Sequence, residues 1–404
     1  MRFVSLTPSM KPSPEGPRDF SVVLGGPLFQ LYRRLHLSGD SLELPVRRTV
    51  AVTLFAWAPL LVLSIIGGTA WGGVTEPFLL DVDAHARLLV ALPLLVGSEM
   101  FVHGRVATAA RQFIARGIVA GDSVAQFERA WSLAVRLRES AIAEVVLVAF
   151  VYAVGISVLR NQFVSLTVDA WYRRASAGAE HITTAGWWYT LVSLPLFQFI
   201  VFRWYFRLAI WSTFLLRVAR CGLRLFPTHP DRAAGQGFLA DATLALVPFL
   251  LAHGALFAGV MAVGILFDAR TLLSYVPALA SFFIFAMSVA LVPLLAFTLP
   301  LARARRVGLR EYGALAQNYV MKFDKKWLRA GAADMPQLLG SADIQSLSDM
   351  INSFQSAVVD TRLLPISGKT ALRLAIVTLA PVSPLLLTVM PAGEILRAIL
   401  KGLF

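Results

Sequence analysis

Residues 238–267 read FLADATLALVPFLLAHGALFAGVMAVGILF, a run with one acidic side chain, one histidine and no lysine or arginine. At about 1.5 Å per residue a helix of this length exceeds the roughly 30 Å hydrocarbon core of a bilayer. No water is available there to satisfy backbone groups, so a chain with such runs must form helices or a closed barrel. The alternation expected of barrel strands is absent, which leaves helices. Comparable runs occur at 50–67, 87–103, 141–159, 187–206, 272–300 and 371–390. Composition agrees: the 404 residues are 57% hydrophobic and 15% charged, with a mean hydropathy of +0.68. The expected fold is all-α, a polytopic transmembrane bundle of six or seven spans with a helical cytoplasmic layer.

The segments then divide as follows. Residues 1–48 form a cytoplasmic N-terminal arm, 49–300 carry six spans with helical extensions, 301–370 form a cytoplasmic helical segment, and 371–404 hold a seventh span or a re-entrant or interfacial piece. The last alternative arises because Pro381, Pro384 and Pro391 interrupt the apolar run. Orientation follows the placement of basic residues. Arg47 and Arg48 precede the first run, whereas Glu76, Asp81 and Asp83 follow it, so the N-terminus is expected in the cytoplasm. The net charge of +13 is read as cytoplasmic span ends facing anionic headgroups, not as a nucleic-acid interface. The start lacks the apolar core of a cleavable signal peptide. The single cysteine, Cys221, excludes internal disulfides and zinc sites built on paired cysteines.

Periodicity extends several helices beyond the bilayer. Ser123 and Gln126 fit a capping box, followed on one face by Val124, Phe127, Trp131 and Val135, so this helix is expected to run straight into the third span. The fourth is expected to continue from Trp187 to about Leu225. In 301–370, Tyr312, Ala316, Tyr319, Phe323 and Trp327 mark one amphipathic helix, and Ile344, Leu347, Ile351, Phe354 and Val358 mark a second. Tyr312, Tyr319, Phe323 and Trp327 are therefore candidates for docking a cytoplasmic partner or another copy of the chain. Trp187, Trp188 and Tyr189 read as an interfacial aromatic belt.

Ionisable residues inside apolar runs or at their ends are costly unless paired or wet, which makes them candidates for an ion or solute path. They are Glu99, His103, Glu144, Arg203, Arg207, Asp241 and His253. Arg203 and Arg207 share a helix face and could pair with Glu99 or Glu144. The same set also fits a structural belt of ion pairs, and His253 fits a buried interhelical hydrogen bond. Gly254, Gly259 and Gly264 follow at intervals of five, which suits close helix approach.

Between two spans lies PTHPDRAAGQGFL, residues 227–239. Its prolines stop one helix, Asp231 can accept backbone N–H bonds, and Gly235 and Gly237 permit positive φ. A turn explains these residues, but a glycine-rich turn before a helix can also hold an anion, so His229, Asp231, Arg232, Gly235 and Gly237 are anion-site candidates. No metalloprotease, hydrolase-elbow or Walker motif is present. An enzyme is disfavoured, and no cofactor, metal or catalytic residue is expected.

The run GWWYTLVSLPLFQFIVFRWYFRLAIW with PTHPDRAAGQGFL and LLGSADIQSLSDMINSF resembles an uncharacterised family of bacterial polytopic inner-membrane proteins. In that pattern the turn reads His-Pro-Asp-Arg-x-Gly-Gly-Leu-Gly-Phe-Leu, so Ala234 and Gln236 depart from it. The resemblance covers roughly residues 186–365. It implies a multi-pass protein of a bacterial inner membrane and carries no activity with it. The functional expectations are a channel- or transporter-like passage, in an oligomer, or a membrane scaffold or signalling subunit.

Overall fold

The computed structural model describes residues 45–165, 169–176, 179–329, 342–355 and 360–388. The arm 1–44, Val358 and the tail from 389 lie outside the described residues. The elements are α1 (Pro45–Ile66), α2 (Val82–Ala115), α3 (Ser123–Arg138), α4 (Ala141–Ser165), β1 (Arg173–Ser176), β2 (Ala179–Ile182) and α5 (Thr184–Val218). There follow α6 (Leu239–Leu266), α7 (Val276–Leu291), α8 (Thr298–Trp327), α9 (Ala342–Ser353) and α10 (Gly368–Leu379). A 3-10 turn, Val292–Phe297, joins α7 to α8, and another, Ala380–Thr388, prolongs α10. The two strands form a small antiparallel hairpin, and the fold is an all-α bundle.

Six helical stretches are long and apolar enough to cross a membrane. Contacts between their connections define the two ends. At one, Arg224 N–H donates to the Ile118 carbonyl at 2.8 Å and Arg362 N–H to the Arg232 carbonyl at 2.7 Å. We call this the basic end. At the other, the hairpin end, Trp171 N–H donates to the Glu76 carbonyl and Trp171 Nε1 to Asp81, each within 3 Å. The 25-residue α4 starts beside α3 at the basic end and leads to the strands at the hairpin end, so it runs from one end of the bundle to the other. The last segment starts at the basic end and runs along α6 until Leu385 packs near Leu272 and Tyr275. Pro381 and Pro384 sit in its 3-10 stretch without turning it back, and Gly254 of α6 lets Pro381 pass closely.

The three glycines of α6 do not form one seam. Five residues advance a helix by about 500°, so successive members point about 140° apart. A Cβ on Gly254 would lie 2.4 Å from the Thr378 carbonyl, on Gly259 2.9 Å from Ala86, and on Gly264 against the Tyr275 hydroxyl. Each lets a different neighbour approach α6.

Three local expectations are corrected. Ser123 does not cap α3: its hydroxyl donates to the Gly222 carbonyl. α3 also stops at Arg138 instead of entering the third span, because Ser140 breaks the chain and accepts from Ala143 N–H at the start of α4. Its buried face is Phe127, Ala130 and Ala134, with Phe127 edge-on to Phe214 of α5. α5 ends at Val218, short of Leu225, since Gly222 turns the chain at φ +67°.

A buried charge cluster and a self-filled turn

Residue spacing on α1 builds the first wall of the cluster. Arg48, Val52, Ala56, Leu60 and Ser64 are buried at intervals of four, so Arg48 sits on the stripe that faces the bundle. On α2 the helix is interrupted at Ser98, directly before Glu99. The Leu95 and Val96 carbonyls at this break accept from Trp204 Nε1 at 3.0 Å and from Arg48 Nη2 at 3.1 Å. The break therefore fixes α1 and α5 against α2, with the Glu99 carboxylate between them.

That carboxylate is buried and meets three guanidinium groups. Oε1 is 2.7 Å from Arg207 and 3.6 Å from Arg203, and Oε2 is 3.0 Å from Arg48. Arg203 Nε is also 3.3 Å from Glu144 at the start of α4. Five charges from four helices thus meet in one place, three positive and two negative. The Arg207 guanidinium lies 5.4 Å from the Trp204 ring centre, a cation–π contact within the same site. Desolvating each of these groups costs several kcal/mol, and removing one partner leaves that cost uncompensated. The arrangement locks α1, α2, α4 and α5 in one register.

Other expected path residues fall elsewhere. His103 is half-buried one turn beyond Glu99. Asp241 is exposed, 4.0 Å from Arg105 at the surface of the basic end. His253 is held on α6 by both ring nitrogens, Nε2 at 2.8 Å from the Tyr205 hydroxyl and Nδ1 at 2.8 Å from the Phe249 carbonyl. The path candidates are therefore split among a buried cluster, a surface pair and an aromatic-lined hydrogen bond.

The turn at 227–237 is a cradle for an anion, and the anion in it is its own side chain. Arg232, Ala234 and Gly235 have positive φ, so neighbouring N–H groups converge. Asp231 Oδ1 accepts from Ala233 and Gly235 at 2.8 and 3.1 Å, and Oδ2 from Gly237 at 2.7 Å. His229 Nδ1 lies 2.9 Å from Oδ1. Burial favours the protonated carboxyl, but the three N–H donors, with His229, outweigh it and hold Asp231 below the usual carboxylate range. A Cβ on Gly237 would come 2.9 Å from Asp231, so glycine is needed there for the close approach. Arg232 reaches Asp360 at 3.7 Å and Arg116 donates to the Gly235 carbonyl at 3.2 Å, which ties the turn to its neighbours. Gln236 is fully buried, and its side-chain amide has no hydrogen-bond partner among the described residues.

The docking candidates divide too. Trp327 is buried, its Nε1 donating to Asp343 at 3.1 Å, and Tyr319 donates to the Asp343 carbonyl at 3.0 Å. Both pin α9 onto α8. Tyr312 contacts Thr228 through its hydroxyl, and Phe323 packs beside Trp327. The apolar side chains left exposed on this helix pair include Leu315, Val320, Met321, Ile344 and Ile351.

Sequence reasoning missed Arg48, which was read only as a flanking charge. Its signal was the interval of four to Val52, Ala56 and Leu60. A second polar group was also missed, at the hairpin end. There α2 and α5 each widen into a π-helical stretch, Ala86–Ala91 and Tyr189–Ser193, and Arg87 bridges them by bonding Tyr189 and Asp83. Tyr189, expected in an interfacial belt, is thus part of a bond between helices. In the loop before α2, burial and the nearby Asp81, Asp83 and Asp268 push the Glu76 carboxyl up to about 7. The chain matches no family model, no curated protein and no solved structure.

Proposed function

We propose that this integral membrane protein is a scaffold whose bundle holds the α8–α9 helix pair outside the bilayer, on the cytoplasmic side, to dock an acidic partner protein. The observation that carries this reading is α8 itself. It has 30 residues, about 45 Å at 1.5 Å per residue, and only Leu301, Gly308 and Trp327 are buried. Basic residues outnumber acidic ones eight to two over 301–329, and Leu315, Val320 and Met321 are exposed among them. Apolar side chains ringed by one sign of charge fit a partner of the opposite sign. The test places a photo-crosslinking amino acid at Met321 in cells. A discrete adduct that disappears with Val320→Glu and persists with His253→Ala supports docking; no adduct, or one insensitive to Val320→Glu, sinks it.

A conducting path is the second reading, favoured by the excess positive charge of the Arg48–Glu99–Glu144–Arg203–Arg207 cluster. It predicts anion-selective current in planar bilayers that Arg203→Ala alters. Silence from folded protein would leave the cluster as a helix lock.

A further inference from the structure

α5 and α8 run in the same direction, and a cavity of about 980 Å³ opens between the end of α5 and the start of α8. This is near the upper end of the roughly 300–1,000 Å³ of small-molecule sites. Each wall passes from leucine to arginine within about one helical turn. On one side Leu216 is followed four residues later by Arg220; on the other, Leu295 and Leu299 are followed four residues after Leu299 by Arg303. Leu216, Leu295 and Leu299 are exposed. The guanidinium groups of Arg220 and Arg303 are exposed and make no hydrogen bond or ion pair among the described residues. Glu311, also on the lining, lies about two turns further along α8 than Arg303.

We infer that this cleft binds one anionic glycerophospholipid from the leaflet at the basic end, its phosphate on Arg220 and Arg303 and an acyl chain along Leu216, Leu295 and Leu299. The step from arginine to leucine on each wall parallels a lipid's own step from phosphate to hydrocarbon. Paired basic side chains between helices at a headgroup level attract anionic lipids, by about 1 kcal/mol per residue. A free phosphate would meet the two arginines but leave the apolar slot unfilled.

The experiment uses the full chain, delipidated in a neutral detergent, with lipid binding read by native mass spectrometry. Phosphatidylglycerol should add as one molecule per chain, at least tenfold more tightly than phosphatidylcholine. The double variant Arg220→Ala/Arg303→Ala should weaken it about 10- to 30-fold. Ala304→Trp, which fills the cleft and keeps both charges, should weaken it as well. Lys322→Ala/Lys325→Ala removes the same charge further along α8 and should change nothing. The inference is overturned if both cleft variants bind like the wild type, if the lysine variant loses as much as the arginine variant, or if inorganic phosphate competes as strongly as the lipid.

Discussion

Replacing Glu99 by glutamine tests the buried cluster most directly. Glutamine keeps the volume but removes the anion that meets Arg207 at 2.7 Å, Arg48 at 3.0 Å and Arg203 at 3.6 Å. The cluster then holds three guanidinium groups against Glu144 alone, and its net charge rises from +1 to +2. Breaking a buried ion pair by removing one partner costs about 3–5 kcal/mol. That is a large share of the roughly 5–15 kcal/mol that stabilises a typical domain. The second half of the test removes a cation in the same background. Glu99→Gln with Arg48→Met returns the net charge to +1, so the double variant should lose less than the sum of the singles, by about 1–3 kcal/mol. The assay is unfolding in mixed micelles by added SDS, followed by tryptophan fluorescence. If Glu99→Gln costs under about 1 kcal/mol, or the two changes add within about 0.5 kcal/mol, the charges are not coupled and the lock is refuted.

Asp231→Asn retains one acceptor but turns an N–H donor toward another at Gly237, and should cost about 2–4 kcal/mol. Because folding lowers the Asp231 pKa, its contribution is present above the unfolded value and lost as pH falls below about 4. Thermal melts between pH 2.5 and 6 should show that loss in the wild type and a flatter profile in Asp231→Asn. Glu76 has the opposite sign: its folded pKa of about 7 means stability falls as pH rises between about 4.5 and 7, and Glu76→Gln should remove that slope from melts extended to about pH 8. Gln236→Leu replaces a buried amide without partners by an apolar side chain of similar size and should raise stability by about 1–3 kcal/mol in the SDS titration. Gly254→Ala puts a methyl group 2.4 Å from the Thr378 carbonyl and should cost about 1–3 kcal/mol by the same titration; an unchanged midpoint would show that α10 does not lean on α6 there.

The apolar runs by themselves determined that this chain is a helical membrane bundle, because burying so many backbone groups in hydrocarbon admits little else. The pairing of Arg203 and Arg207 with Glu99 and Glu144 was legible too, since an i,i+4 pair in an apolar helix needs nearby anions. So was the role of Asp231 among N–H donors, because aspartate between proline and glycine has few other uses. Tertiary structure decided the rest. It drew Arg48 in from a flank, because burial depends on which face of α1 meets α2. It separated Asp241 and His253 from the cluster, because residues far apart on a membrane helix face different neighbours. It carried the last, proline-interrupted segment along α6, and it turned Trp327 inward onto Asp343. Each outcome depends on how two helices rotate against each other, and a period of 3.6 residues fixes the faces of one helix without choosing the partner of any.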